Sequence, residues 1–174
     1  MPKFIKGKEL CRNFFTEIAK PILDRQFPGL VYSAGLLGYG SDVLGYDDPV
    51  STDHMWGPRF YLFLKEEDQA LKPQLLEAFS SHFPETYQGY HVNFSPPDPN
   101  DGGVRHATPS LDGKVNPLIF LYTIEEYLDF YLGTHQLDNL SDIEWLSFSE
   151  HRLLALAVGE FYVDMLHLAD TLSP

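Results

Sequence analysis

Gly38-Tyr-Gly-Ser-Asp-Val-Leu-Gly-Tyr-Asp-Asp-Pro-Val-Ser-Thr-Asp-His-Met-Trp-Gly-Pro-Arg59 is a turn-rich stretch held between two apolar runs. The run before it, Leu30-Val-Tyr-Ser-Ala-Gly-Leu-Leu37, reads as a buried strand, and the run after it, ending in Arg59-Phe-Tyr-Leu-Phe-Leu64, reads as another that begins around Met55. Loops lie at the surface because their backbone groups must be hydrated. A loop that concentrates glycine, aspartate, a histidine and an arginine between two core strands is the first place to look for a site.

The bulk composition sets the frame. With 174 residues, 44% of them hydrophobic and 14% aromatic, the chain has enough apolar material for one ordinary globular domain, residues 1–174. A formal net charge of −13 excludes the basic footprint that nucleic acid or an anionic membrane requires. An anionic substrate then needs a cation or a local arginine. The single Cys11 has no partner for an internal disulfide, which fits a reducing, cytoplasmic setting. No apolar run reaches the length of a membrane span.

Outward from the loop, Leu10, Phe14, Ile18 and Ile22 recur at helical spacing, with Pro21 placing a kink or break after Lys20 and Phe27-Pro-Gly29 ending the helix. After the second strand, Lys65-Glu-Glu-Asp68 opens a helix whose buried side is Leu71, Leu75, Leu76 and Phe79. Gly89–Phe94 alternates as a third strand, and Leu118–Tyr122 is a fourth. Between them, residues 95–114 form a long Pro-, Gly- and Asp-rich segment, a kind that is either functional or disordered. Thr123-Ile-Glu-Glu126 is a capping box for a helix that stops at Gly133. Residues 140–147 read as irregular, and Ser149 caps a C-terminal helix carrying Leu153, Leu156, Phe161, Met165 and Leu168 on its inner side. The fold class is α+β, a short mixed sheet flanked by helices.

Glycine next to serine after a strand lets a phosphate approach the backbone amides, and Ser41 adds a hydroxyl beside Gly40. Asp53 stands at the head of the second strand, where a carboxylate is suited to magnesium shared with substrate phosphates. Alternation along a strand pairs position 53 with position 55, which is Met55 rather than a second acid. Arg59 either neutralises a phosphate or pairs with one of the neighbouring acids. Asp47 and Asp48 precede Pro49 and suit turn formation; Trp56 suits packing. The histidines lack the paired spacing of zinc sites, and no Gly-x-Ser-x-Gly elbow is present.

The Gly-Ser pair, the spacer and the strand-opening aspartate resemble the signature of the nucleotidyltransferase superfamily. The fuller string from Gly40 to Phe60 resembles a narrower group, the domain of unknown function 4037 family, and the likeness extends to Phe27-Pro-Gly-Leu30, Val92-Asn-Phe-Ser95, Glu144-Trp-Leu146 and Gly159-Glu-Phe161. The resemblance implies a nucleotidyltransferase-like sheet carrying a magnesium-bound nucleotide, with Gly40 and Ser41 on the phosphates and Asp53 as the first metal carboxylate and catalytic acid. Met55 stands where the group has its second acid, and Leu118–Tyr122 offers no third. Two functions follow as expectations. One is magnesium-dependent transfer of a nucleotide to a small molecule or protein, with Asp53 and either Asp42 or Asp48 holding the metal and Arg59 assisting the phosphates. The other is a degenerate relative that binds a nucleotide or other small molecule, or serves as an interaction module. Neither involves nucleic acid or membrane.

Overall fold

In the computed structural model, residues 4–52, 55–111 and 113–172 are described. In chain order they form α1 (Gly7–Phe14), a π-helical turn (Phe15–Ala19), α2 (Lys20–Gln26), β1 (Tyr32–Leu36), β2 (Arg59–Leu64), a 3₁₀ turn (Glu66–Leu71) and α3 (Lys72–His82). There follow a small hairpin of β3 (Thr86–Tyr87) and β4 (Tyr90–His91), then β5 (Leu118–Tyr122), α4 (Ile124–Leu132), α5 (Asp142–Ser147), α6 (Glu150–Ala157), β6 (Glu160–Asp164) and α7 (Leu168–Leu172). The fold is α+β, with a four-stranded mixed sheet in the order β5-β2-β1-β6. β1 runs antiparallel to both β2 and β6, whereas β2 and β5 are parallel and are joined through α3.

β2 is the strand that organises both faces. Phe60, Leu62 and Leu64 pack with Leu10, Phe14, Phe15 and Phe79 from the helices of the first half. Tyr61 and Phe63 pack on the opposite face with Tyr127, Tyr131 and Leu156. A strand buried on both sides has no polar face to present, which is why Phe60–Leu64 is continuously apolar instead of alternating.

Pro21 does not end the first helix. Proline lacks an N–H, and its ring crowds the carbonyl four residues back, here that of Glu17. The helix widens by one residue immediately upstream, where the Lys20 N–H donates to the Phe15 carbonyl, and it continues to Gln26. A π-turn of this kind removes the clash without breaking the rod.

Four other expectations are corrected. β2 begins at Arg59, not near Met55, because Met55 and Gly57 have positive φ and Pro58 has no donor to give the ladder. Gly89 is not in a strand: with Gln88 it forms the two-residue turn of the β3–β4 hairpin, both at positive φ. Residues 140–147 are not wholly irregular, since Ser141 and Glu144 form a capping box that starts α5. The expected C-terminal helix is interrupted. It ends at Ala157, Gly159 follows, and Phe161-Tyr-Val163 lies in β6 beside β1. The Thr123 capping box and the left-handed stop at Gly133 are as the sequence reads.

The last elements are tied down by one carboxylate. Asp164 accepts from the Ser33 hydroxyl at 2.6 Å and from the α7 amides of Leu168 and Ala169, each at 2.9 Å. Partial burial works against its charge, but these three bonds prevail and hold its pKa below the ordinary carboxylate value. A depressed folded pKa adds stability above the unfolded value and loses it as pH falls through the folded one. Asp164→Asn is therefore expected to cost about 1–2 kcal/mol at pH 7. Urea unfolding is the check: the gap between variant and parent narrows as pH drops below the carboxylate range, and a pH-independent gap is the contrary result.

Candidate functional site

The segment between β1 and β2 is built around two buried carboxylates. Asp47, 1% exposed, accepts from the backbone N–H of Gly7 at 2.6 Å and from the Trp56 indole at 3.3 Å, and Lys6 lies 3.4 Å away. Gly7 opens α1, so Asp47 satisfies one of the amides that a helix start leaves without a partner. Asp42, also 1% exposed, forms a two-pronged pair with Arg59, accepting from both of its terminal nitrogens, and takes the Val43 amide at 2.9 Å.

Gly40 is required by this pair. A Cβ there would lie 2.4 Å from Asp42 Oδ1 and 2.8 Å from Arg59 Nη2, at a φ of +127°. Arg59 also donates to the Tyr39 carbonyl at 3.2 Å and lies under the Tyr39 ring, 5.8 Å from its centre. Burial alone would favour loss of the guanidinium proton, yet the charge and hydrogen bonds of Asp42 outweigh it and raise the pKa. The charge of Arg59 is thus permanent and is neutralised internally.

Gly40, Ser41 and Arg59 do come together. They share a hollow of about 30 Å³ whose wall also includes Tyr39, Ser51, Met55 and Trp56. Ser41 is half-buried at this hollow. Asp48 is elsewhere: its Oδ1 accepts the amides of Val50 and Ser51 at 2.8 and 3.0 Å, so it shapes an exposed turn. Asp53 and His54 lie outside the described residues. Met55 is in a bend before β2 with a φ of 47°, so strand alternation does not govern the direction of its side chain. The Tyr39 hydroxyl donates to its sulfur at 3.7 Å. Position 55 thus presents a thioether held by a phenol, not a carboxylate.

Comparison with protein-family models, curated proteins and solved structures finds no match.

The chemistry of the hollow is set by the atoms that line it. Among the described residues, no group of three or more His, Cys, Asp or Glu side chains is placed to hold a metal ion. Asp42 spends its oxygens on Arg59 and the Val43 amide, Asp47 on the Gly7 amide, the Trp56 indole and Lys6, and Asp48 Oδ1 on the amides of an exposed turn. Cys11 lies close by with its Sγ 3.3 Å from the Gly57 carbonyl. Burial pushes that thiol up to about 12, which keeps it protonated and poorly nucleophilic.

One cation escaped the sequence reading. Arg105, from the long segment before β5, donates to the carbonyls of Ser95 at 2.9 Å and Asn116 at 3.4 Å, and among the described residues it pairs with no carboxylate. Burial raises the pKa of the Tyr39 phenol, with the charge of Arg59 and, less strongly, that of Arg105 opposing the rise, and burial pulls the pKa of Arg105 itself down. No local pattern signals this role, because the approach is made by tertiary packing of residues far apart in the chain.

A larger cavity, about 750 Å³, lies away from this hollow, between α3 and the segment before β5. Its polar side chains are occupied in pinning that segment. Asn93 donates to the Thr108 carbonyl at 3.1 Å and accepts from the Asn116 amide at 2.8 Å, and Asn116 in turn donates to the Phe94 carbonyl at 2.9 Å. These side chains supply the bonds that a segment rich in proline cannot make as a ladder.

Proposed function

We propose that this chain is a nucleotidyltransferase-like domain that binds a phosphate-bearing small molecule, a nucleotide in the first instance, without completing a metal centre of its own. The observation that supports it is the convergence of Gly40, Ser41 and Arg59 on one hollow. A recess of about 30 Å³ takes one or two water-sized groups. It therefore grips an edge of the ligand, an oxygen of a phosphate, and leaves the remainder outside. Ser41 supplies a hydroxyl and glycine supplies access to the backbone, while the charge of Arg59 is already committed to Asp42.

The test is calorimetric titration with ATP in the presence of either magnesium or a chelator. Equal affinity in both, within about threefold, is expected. Ser41→Ala removes one hydrogen bond from a half-buried side chain and should weaken binding about three- to tenfold, with the unfolding midpoint unchanged. Binding confined to magnesium, with release of pyrophosphate, establishes nucleotide transfer instead and returns Asp53 to the catalytic and metal role. Absence of binding in both conditions ends both readings. Met55→Asp offers an independent check. Aspartate tolerates the left-handed backbone at this position better than methionine does. The variant should fold and acquire a dependence on magnesium that the parent lacks.

A further inference from the structure

A second surface, independent of the phosphate site, lies where the helices of the C-terminal half meet. α4, α5, α6 and α7 frame a hollow of about 450 Å³ with a predominantly apolar wall that includes Leu128, Leu132, Trp145, Leu153, Leu154 and Leu172. Its side chains are not closed over. Trp145 is 40% exposed and Leu154 49%, and beside them Ile143 and Leu146 of α5 are 80% and 85% exposed. Scattered apolar residues on a surface are ordinary, but a run of this size around one groove marks a contact surface.

Charge identifies the occupant. From Tyr122 to Leu172, histidines aside, every charged side chain except Arg152 is negative. Arg152 is turned to the Tyr131 carbonyl at 3.0 Å. Of the elements that frame the groove, α5, α6 and α7 carry Asp142, Glu144, Glu150 and Asp170, and Asp138 lies just before α5; all are exposed. A second copy of this chain would bring like charges together across the contact, and an anionic lipid surface would be repelled in the same way. A basic segment meets neither penalty. We propose that this groove docks a basic amphipathic helix of a partner protein, with apolar side chains at i, i+3, i+4 and i+7 entering the hollow and lysines or arginines meeting the acidic rim.

The proposal is tested on the whole chain by fluorescence anisotropy with three labelled helical peptides of about 18 residues, or roughly 27 Å of helix. The first has leucine at the four anchor spacings and lysine elsewhere; the second has the same composition in scrambled order; the third replaces lysine with glutamate. The patterned basic peptide is expected to bind at least about tenfold more tightly than the scrambled one, the acidic one not at all, and the affinity should fall steeply between about 0.05 M and 0.5 M salt. Leu154→Glu, at a half-exposed position, should keep the parent's unfolding midpoint and lose at least about tenfold in affinity. Equal binding of patterned and scrambled peptides, or indifference to Leu154→Glu, overturns the proposal by reducing it to attraction between opposite charges. A concentration-dependent dimer in sedimentation that Leu154→Glu dissolves, with no peptide bound, overturns it in favour of a second copy.

Discussion

Arg59→Met is expected to lower the free energy of unfolding by about 3–5 kcal/mol. Arg59 and Asp42 are 2% and 1% exposed, so removal of the cation leaves a carboxylate in the interior to which, among the described residues, only the Val43 amide still donates. Coulomb attraction and desolvation nearly cancel in an intact buried pair, but they do not cancel when half of it is deleted. The double variant Asp42→Asn/Arg59→Met removes both charges and should recover a large part of the loss. That non-additivity is the signature of direct contact. Urea unfolding of parent, single and double variants at pH 7 decides the matter. A cost below about 1 kcal/mol for Arg59→Met, or strict additivity, would show that the pair does not hold the loop. Because Arg59 supports the loop from beneath, its loss disturbs any ligand through the backbone of Tyr39 and Gly40, and Ser41→Ala is the cleaner probe of binding.

The parts of this fold legible in the sequence are those fixed by local rules. β1, β2 and β5 announce themselves as short apolar runs between turn residues, and the start of α4 follows from Thr123 and Glu126 alone. β6 was not legible. Leu153, Leu156, Phe161, Met165 and Leu168 keep a helical rhythm across the break, and only Gly159 followed by Phe-Tyr-Val argues for a strand. What decides between them is the open edge of β1, a tertiary fact. The site divides in the same way. The sequence placed Gly40, Ser41 and Arg59 near one another, but four aspartates lie within reach of Arg59, and spacing does not choose among them. The structure gives the role to Asp42 and assigns Asp47 to the start of α1. Arg105 was out of reach of any local pattern.

Gly35→Ala puts the dependence of the C-terminal half on the sheet to the test. Opposite Gly35 the pairing of β1 with β6 skips a residue: Ala34 faces Val163, Gly35 faces Phe161, and Tyr162 is the extra residue of the bulge. A Cβ on residue 35 would lie 2.2 Å from the Glu160 carbonyl oxygen and 3.0 Å from the Phe161 Cα. These are backbone atoms, so no rotamer change relieves the contact and the strand itself must move. Overpacking of this kind costs about 1–3 kcal/mol. The consequence is local, because β6 is an edge strand and β2 is held by β1 and β5 without it. Displacement of β6 carries Asp164 away from Ser33 and with it the carboxylate that accepts the first amides of α7. It also withdraws Tyr162 from Phe15, whose ring centres stand 5.6 Å apart. Hydrogen exchange should show protection falling across Glu160–Asp164 and Leu168–Leu172 together, while β2 and β5 retain theirs. Protection lost evenly through the whole sheet would mean that β6 is part of the cooperative centre and not an addition to its edge.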